Sequence, residues 1–184
     1  MWPFKSKKSD AKSDRPQASI DCRVISFGLT EDQFVERYRS ELDPISPQVI
    51  ERLRSLFTQK VNPDVQRAHV EIFLDDYGGA PSVWIYFRGR NNKVDGKDQS
   101  LFAGRSLDLA LPLNGLTVFD DRYFTPDFRG LHLAASVLKP WLFECWSNAG
   151  GRKYRVPTTL TVHDGFGDGE IVQLTETTVR QNDS

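Results

Sequence analysis

The sequence predicts a single α+β domain, with one mainly antiparallel sheet and about three principal helices packed on it. Its 184 residues are 39% hydrophobic and 27% charged, an ordinary balance for one globular domain. Two segments with helical periodicity precede two strand-like segments, a long helix and a last strand pair. This order lacks the repeated βαβ units of a parallel sheet, and glycine-rich turns join the strands as hairpins. An antiparallel arrangement is therefore favoured.

The two ends of the chain differ in composition from its body. Residues 1–17 hold five Lys or Arg against two Asp, a charge of +3, and the whole chain carries −1, so the remainder carries −4. We expect a flexible basic tail over 1–17, one domain over 18–180 and a flexible carboxyl terminus over 181–184. Aromatic residues beside the first lysines would give residues 1–8 a weak contact with an anionic membrane, and the alternative is a solvated terminus.

Composition also restricts the partners and the compartment. The acidic body offers no broad basic surface, which argues against nucleic acid as the main partner. No apolar run approaches the ~20 residues of a membrane span, and charges begin at Lys5, too early for a secretory signal. Cys22 and Cys145 are better explained as buried free thiols than as one disulfide bridge. The expected location is the cytoplasm.

The first predicted elements are a strand, indicated by alternation over Ile20–Phe27, and two helices. Thr30 and Gln33 have the spacing of a capping box, so a helix starts after Thr30, and an Asp-Pro pair ends it. Its apolar stripe consists of Phe34, Tyr38 and Leu42. A second helix is expected from Ser46 as N-cap, with Pro47 at the first helical position. Its predicted buried face consists of Val49, Ile50, Leu53, Leu56, Phe57 and Val61.

The middle of the chain predicts a hairpin joined by a Gly-Gly loop. One face of its two strands is typical of a core and comprises Ala68, Val70, Ile72, Leu74, Val83, Ile85 and Phe87. The other face comprises His69, Glu71, Phe73, Asp75, Trp84, Tyr86 and Arg88. Because both faces carry aromatic residues, we expect the hairpin to be central in the sheet, or its second face to be a contact surface.

Three further strands are predicted. Leucines alternate from Leu107 to Leu113, and Pro112 within this run places the strand at an edge of the sheet. The segments Thr158–Val162 and Glu170–Thr177 flank a glycine-rich turn, so they are expected to form the last strand pair.

The longest predicted helix runs from a Thr125-Pro126 cap to residue 148. Pro140 lies inside it, so a kink or break is expected there. An apolar stripe marks one buried face, which leads us to predict that Leu138→Ala costs about 2–5 kcal/mol. Its neighbour Lys139 falls off the stripe, so Lys139→Ala is expected to stay within about 0.5 kcal/mol.

A polar cluster occupies the turn between the last two strands. His163 beside Asp164 and Asp168 could act as a general base or bind a cation. These carboxylates lack the ligand spacing of a calcium loop, and one histidine without a nearby cysteine is short of a zinc site. The alternative is a structural turn, in which glycines take positive φ and the Asp side chains accept hydrogen bonds from loop amides. We expect no metal and no cofactor.

Other catalytic motifs find no support. A Cys145 nucleophile would need His132 or His163, and 13 residues of straight helix separate His132 from Cys145 by about 20 Å, which excludes that pair. A cysteine on an apolar stripe is typical of an inert thiol. The chain has no Gly-x-Ser-x-Gly elbow and no phosphate-binding glycine motif.

The remaining indication of function is the number of aromatic and acidic residues. Aromatic anchors within an acidic rim suit recognition of a basic protein partner. The alternative is that the rings belong to the core and the acids to solvated loops. The predicted binding surface comprises Asp75, Asp76, Tyr77, Asp164, Phe166 and Asp168.

The chain opens with Met1-Trp2-Pro3-Phe4-Lys5, and its last third contains Glu144-Cys145-Trp146 and Ala149-Gly150-Gly151. With its α+β layout and acidic body, it resembles small bacterial cytoplasmic proteins of unassigned function and the immunity proteins that neutralise polymorphic toxins. The resemblance covers the general architecture and no specific motif, so it implies a class of protein and assigns no functional residue.

These observations leave the function open between three hypotheses. The first is a non-enzymatic protein-binding domain, such as an immunity protein that neutralises a toxin or another basic partner. The alternative is a small hydrolase or ligand-binding enzyme centred on His163, Asp164 and Asp168. The third is a structural or membrane-peripheral adaptor, and this hypothesis rests on residues 1–8 alone.

Overall fold

The computed structural model describes residues 24–76 and 78–176. Within these ranges the chain forms a mixed α and β fold, with three α-helices, five short 3-10 segments and a five-stranded sheet. Several expectations fall outside the described residues, namely those on the tail 1–17, Ile20, Cys22, Tyr77 and the carboxyl terminus 181–184.

The first two helices follow the predicted pattern closely. α1 (Glu31–Leu42) begins with the complete capping box of Thr30 and Gln33, and the three predicted stripe residues are buried. α2 (Ser46–Thr58) buries three of the predicted residues, Val49, Leu53 and Leu56. The predicted Ser46 N-cap was wrong. Its hydroxyl donates to Leu42 O and accepts from Trp141 Nε1, so it serves contacts outside the first turn of α2.

The main sheet has the order β4-β3-β2-β6-β7. Its strands are β2 (Val65–Phe73), β3 (Ser82–Gly89), β4 (Ser106–Asp108), β6 (Thr158–Val162) and β7 (Val172–Gln173). Three of its four pairings are antiparallel, and β2 pairs with β6 in parallel. The expectation of a mainly antiparallel sheet is therefore met in part, because the β2–β6 pair is parallel. The parallel pair arises because the long helix lies between β4 and β6 along the chain, and it returns β6 alongside β2.

Outside the main sheet, β1 (Val24–Ile25) and β5 (Val118–Phe119) form a separate parallel pair. The edge strand predicted from the leucine run is confirmed only over β4. After Asp108 the chain leaves the sheet and forms a 3-10 turn over Pro112–Gly115. The last predicted strand is likewise short, and β7 covers two residues.

The third helix, α3 (Gly130–Asn148), differs from its prediction in three ways. It starts after Arg129, not at the Thr125-Pro126 pair, because Arg129 takes a left-handed φ of 60°, which no α-helix can include. It continues through Pro140 without a break. Burial extends beyond one stripe and includes Lys139, which sequence reasoning had placed in solvent. None of the described helices is both long and apolar enough to cross a membrane.

One hydrophobic core joins the three helices to a single face of the main sheet. Alternate residues of β2, β3 and β6 point into it, as predicted for the central hairpin, and their burial pattern repeats every second residue. The opposite face of the same strands is only partly buried. We refer to it as the open face, comprising His69, Glu71, Phe73, Trp84, Tyr86, Thr159 and Thr161.

Candidate interaction surface

Parallel pairing brings two acidic segments to one edge of the sheet. Ile72 lies opposite Val162, so β2 and β6 end side by side. The segment 74–81 follows β2 and the segment 163–170 follows β6, and both carry residues of the predicted binding surface. The two segments are far apart in the sequence, and the parallel register of β2 and β6 makes them start side by side.

His163, the first residue after β6, lies against β2. Its Nδ1 is 2.8 Å from Glu71 Oε1, and its Nε2 is 3.4 Å from Asp164 Oδ1. The ring packs on Phe73 with 4.5 Å between centroids. The hydrogen bond to Glu71 raises the pKa of His163 above its usual value. His163 and Glu71 therefore form a partly exposed hydrogen-bonded pair on the open face, which is an ion pair when the His163 ring is protonated. The sequence did not indicate this partnership.

Asp168 has other partners. The buried Lys139 ammonium donates to its carboxylate, and the Glu170 backbone N–H donates to Asp168 Oδ1 at 2.9 Å. Both hydrogen bonds lower the pKa of Asp168, and the one from Lys139 has the larger effect. His163 and Asp168 thus belong to separate groups, and the described structure shows no hydrogen bond that joins them.

The centre of the 163–170 turn rests on α3. Phe166 packs edge-on against His132 with 5.3 Å between ring centroids. His132 Nδ1 lies 3.2 Å from Gly167 N and 3.5 Å from Gly167 O, so the ring contacts the Gly167 backbone. Gly167 takes a φ of 79°, as the glycine-rich sequence led us to expect, and Asp164 itself lies in the left-handed region at 57°. The turn therefore has a structural role, with His163 and Asp164 at its outer end.

The neighbouring segment 74–81 is also internally bonded. Asp75 Oδ1 accepts from Gly79 N–H at 3.1 Å, and the Asp75 carbonyl accepts from Gly78 N–H at 3.0 Å. Gly78 has a φ of 77° and touches the Phe124 ring, so a Cβ atom has no room there. Asp75 therefore shapes the loop, and Asp76 stays exposed beside it.

The open face places aromatic rings beside polar groups. Tyr86 lies opposite His69 across β3 and β2, and Trp84 lies opposite Glu71. All four side chains are partly buried, a state between core and solvent. Sequence reasoning identified this face as a possible contact surface but left Trp84 and Tyr86 out of the predicted binding set. The alternation of residue types along β3 was the signal that could have included them.

His69 is held rigidly in the middle of the open face. Its Nδ1 is 2.8 Å from Thr159 Oγ1 and its Nε2 is 3.0 Å from Thr161 Oγ1, so both ring nitrogens are occupied. Burial lowers the pKa of His69, which favours the neutral ring at physiological pH. A neutral imidazole between two hydroxyls is a fixed part of the surface.

Charge is unevenly distributed along the open face. Arg67 and Arg88 lie directly opposite each other at one end, and neither side chain makes an ion pair or hydrogen bond within the described residues. Asp76, Asp164 and Glu71 lie towards the other end, where β2 and β6 finish. The surface therefore has a basic end and an acidic end, with the aromatic rings between them.

The candidate catalytic residues have the following surroundings in the described part of the chain. His163 contacts two carboxylates and a phenyl ring, and no hydroxyl or thiol nucleophile hydrogen-bonds to it in this part of the chain. Cys145 is a buried free thiol whose pKa is raised by burial, which disfavours the reactive thiolate. Among residues 24–76 and 78–176, no group of three His, Cys, Asp or Glu side chains is arranged to hold a metal ion.

No protein family model, curated protein or solved structure matches this chain.

Proposed function

We propose that the chain is a non-enzymatic protein-binding domain that recognises a basic protein partner. Its binding surface is the open face together with the adjoining loops 74–81 and 163–170. The class of protein that fits best is an immunity protein, which neutralises a toxin by covering it. The observation that carries the proposal is a sheet face with partly exposed Trp84 and Tyr86 beside an acidic edge.

Aromatic side chains supply the central contacts of such a surface. Trp and Tyr are enriched among the residues that dominate binding free energy, because they bury large areas and retain a polar group. Trp84 and Tyr86 lie on a central strand, so the sheet holds them rigid before binding. A preorganised surface loses less conformational entropy when a partner docks.

The acidic loops supply orientation and speed of association. Asp76 and Asp164 are exposed at the end of β2 and β6, and the chain outside its first 17 residues carries a net charge of −4. Opposite charge on a partner accelerates encounter and sets the docking orientation, and salt screens both effects. Asp168 contributes less to this field, since Lys139 neutralises it.

The enzyme alternative centred on His163, Asp164 and Asp168 receives less support. His163 and Asp168 have separate partners, and the His163–Glu71 pair has no hydroxyl or thiol nucleophile in contact with it in the described structure. A turnover that His163→Ala abolishes without loss of stability would favour this alternative over the binding domain.

The test uses the product of the gene adjacent to the one that encodes this chain. We expect that product to be a basic protein that inhibits growth, and co-expression with this chain to restore growth. Trp84→Ala should abolish the rescue while the variant stays folded by circular dichroism. The double variant Asp76→Lys/Asp164→Lys should slow association and weaken its salt dependence.

Glu36→Lys is the matched control, because Glu36 is exposed on α1, and the helices pack on the face of the sheet opposite the open face. It should leave binding unchanged. Rescue that is insensitive to Trp84→Ala and to both charge reversals would place the binding site elsewhere. A neighbouring product that this chain neither binds nor neutralises would overturn the immunity proposal.

A further inference from the structure

The open face is a sheet surface that none of the described helices covers. The three helices share one core with the other face of the main sheet. His69, Trp84 and Tyr86 remain partly exposed. Aromatic rings on an uncovered sheet face are typical of a surface that packs against another protein. The register of the strands shows how well this face fits a second copy of itself.

The two central strands arrange the open face in three successive levels. Each level is a pair of residues that lie opposite each other, and in order these pairs are Arg67–Arg88, His69–Tyr86 and Glu71–Trp84. Neighbouring levels are two residues apart, which is about 7 Å along a strand. The arginine level and the Glu71–Trp84 level are therefore equally far from the middle level.

The arginine level carries two cations with no partner in the described residues. Arg67 and Arg88 are exposed, and neither makes an ion pair or hydrogen bond there. Both side chains line a cavity of about 390 Å³ on the open face, together with His69 and Thr159. A carboxylate that enters this cavity from outside the chain meets two guanidinium groups.

The opposite level carries the groups that arginine binds best. His163 occupies Oε1 of the Glu71 carboxylate, and Oε2 makes no hydrogen bond within the described residues. Beside it, the Trp84 ring is partly exposed. A guanidinium pairs with a carboxylate, or stacks on the face of an indole ring. The two outer levels of the open face are therefore complementary to each other.

A two-fold axis through the middle level brings the outer levels of two copies together. An axis that crosses the strands between two stacked sheets exchanges the outer levels and keeps each strand opposite its counterpart. Arg67 of one copy then faces Glu71 of the other, Arg88 faces Trp84, and each contact occurs twice. An axis along the strands would instead place all four arginines against one another, which like-charge repulsion disfavours.

The middle level suits contact between identical residues. At the axis, His69 and Tyr86 meet their own counterparts, so a charge there would repel itself. The Thr159 and Thr161 hydroxyls hold both ring nitrogens of His69, at 2.8 and 3.0 Å. Burial lowers the pKa of His69, so two neutral rings meet at physiological pH. Two tyrosine rings can pack offset or edge to face.

We propose that the free chain forms a two-fold homodimer in which the open faces of two copies pack on each other. The sheets lie about 10 Å apart, a distance that a pair of long side chains spans. Because five short strands make a small interface, we expect a weak dimer with a Kd of about 10–100 µM. This inference goes beyond the proposed function and does not depend on it. A basic protein partner competes for the same face, and its contacts with the acidic loops favour that complex over the dimer.

Sedimentation equilibrium of the full chain at about 5–500 µM measures this association. The mean mass should rise from 21.0 kDa towards twice that value as concentration increases. Arg67→Glu and Glu71→Arg each place like charges in contact, so each should weaken the dimer at least about tenfold. The double variant Arg67→Glu/Glu71→Arg restores opposite charges at both contacts and should recover most of the affinity. Arg52→Glu, exposed on α2, is the control and should leave the Kd unchanged.

A crosslink at the axis tests the geometry without a charge reversal. Position 86 faces its own counterpart, so a short bismaleimide should join two copies of Tyr86→Cys. Glu36→Cys is the control, because position 36 is exposed on the helical side and the variant keeps both natural cysteines. It should give no more crosslinked dimer than the unmodified chain. This measurement also decides the question if Glu71→Arg fails to fold by circular dichroism.

Three results would overturn the proposal. The first is a mean mass of 21.0 kDa at every concentration. The second is a dimer that persists in folded Arg67→Glu, or a crosslink at position 36 that equals the one at position 86. The third is a folded double variant that stays as monomeric as the single variants, because Arg67 and Glu71 would then not be partners. None of these results decides the test of the proposed function, since a monomer can still bind a protein partner.

Discussion

Replacement of Lys139 tests how the 163–170 turn is attached to α3. The Lys139 side chain is 7% exposed, and its ammonium donates to the Asp168 carboxylate and to Glu170 O at 3.0 Å. Lys139→Ala removes both hydrogen bonds and the buried alkyl stem. It leaves no charge buried without a partner, because Asp168 is 60% exposed and returns to water.

The expected loss follows from these contacts. A hydrogen bond to a charged group contributes about 1.5–3 kcal/mol, and the lower end applies because water can replace the lysine at Asp168. Loss of the stem adds roughly 1 kcal/mol of buried apolar surface. Lys139→Ala should therefore lower the free energy of unfolding by about 2–3 kcal/mol. This replaces the sequence-based expectation of about 0.5 kcal/mol, which assumed an exposed lysine.

Urea denaturation of Lys139→Ala, Lys139→Met and Lys60→Ala measures this effect. Lys139→Met keeps the stem and should lose about 1–2 kcal/mol. Lys60 is exposed, so Lys60→Ala should stay within about 0.5 kcal/mol. Because the pKa of Asp168 is lowered in the folded protein, the ionised carboxylate stabilises the fold above pH about 4. This stabilisation disappears as the pH falls through the folded-state pKa. Equal stabilities of Lys139→Ala and Lys60→Ala would refute the proposed attachment.

Three further predictions concern stability and titration. Leu138 is fully buried, so Leu138→Ala should cost about 2–5 kcal/mol by urea denaturation, and a loss below about 1 would contradict its place in the core. Thr30→Ala removes the capping box and should cost about 1 kcal/mol, whereas Thr30→Asn should largely preserve stability. Glu71→Gln should bring the pKa of His163, measured by NMR titration, down towards its usual value. The Glu71–His163 pair stabilises the fold below pH about 6.5, and this stabilisation is lost as the pH rises through the raised pKa. The loss of stability in Glu71→Gln should therefore shrink at high pH. An unchanged His163 pKa in this variant would contradict the pairing.

Local signals in the sequence accounted for much of the secondary structure. The capping box at Thr30, the alternation of β2 and β3 and the glycine-rich turn each depend on neighbouring residues, so they were readable before the fold was known. The start of α3 could not be read in this way, because Thr125 ends a 3-10 turn whose Tyr123 side chain is packed into the core, and Arg129 takes a left-handed φ of 60° before the helix begins. Tertiary packing overrode the local cap signal there.

The missed functional features all depend on contacts between distant segments. The pairing of β2 with β6 joins Glu71 to His163 across 92 positions and makes the two acidic loops start side by side. Lys139 appeared exposed because the helical stripe alone was considered, and the 163–170 turn covers it from another element. Single-sequence periodicity contains no information on such partners.

Photo-crosslinking in the cells that express the chain tests the central claim most directly. A photoreactive phenylalanine analogue would replace Tyr86 on the open face, Asp164 at the acidic edge or Glu36 on the exposed side of α1. We predict one crosslinked partner, a basic protein, from positions 86 and 164 and none from position 36. Crosslinks from position 36 that equal or exceed those from 86 and 164, or none from the open face, would contradict the claim that this surface binds a protein.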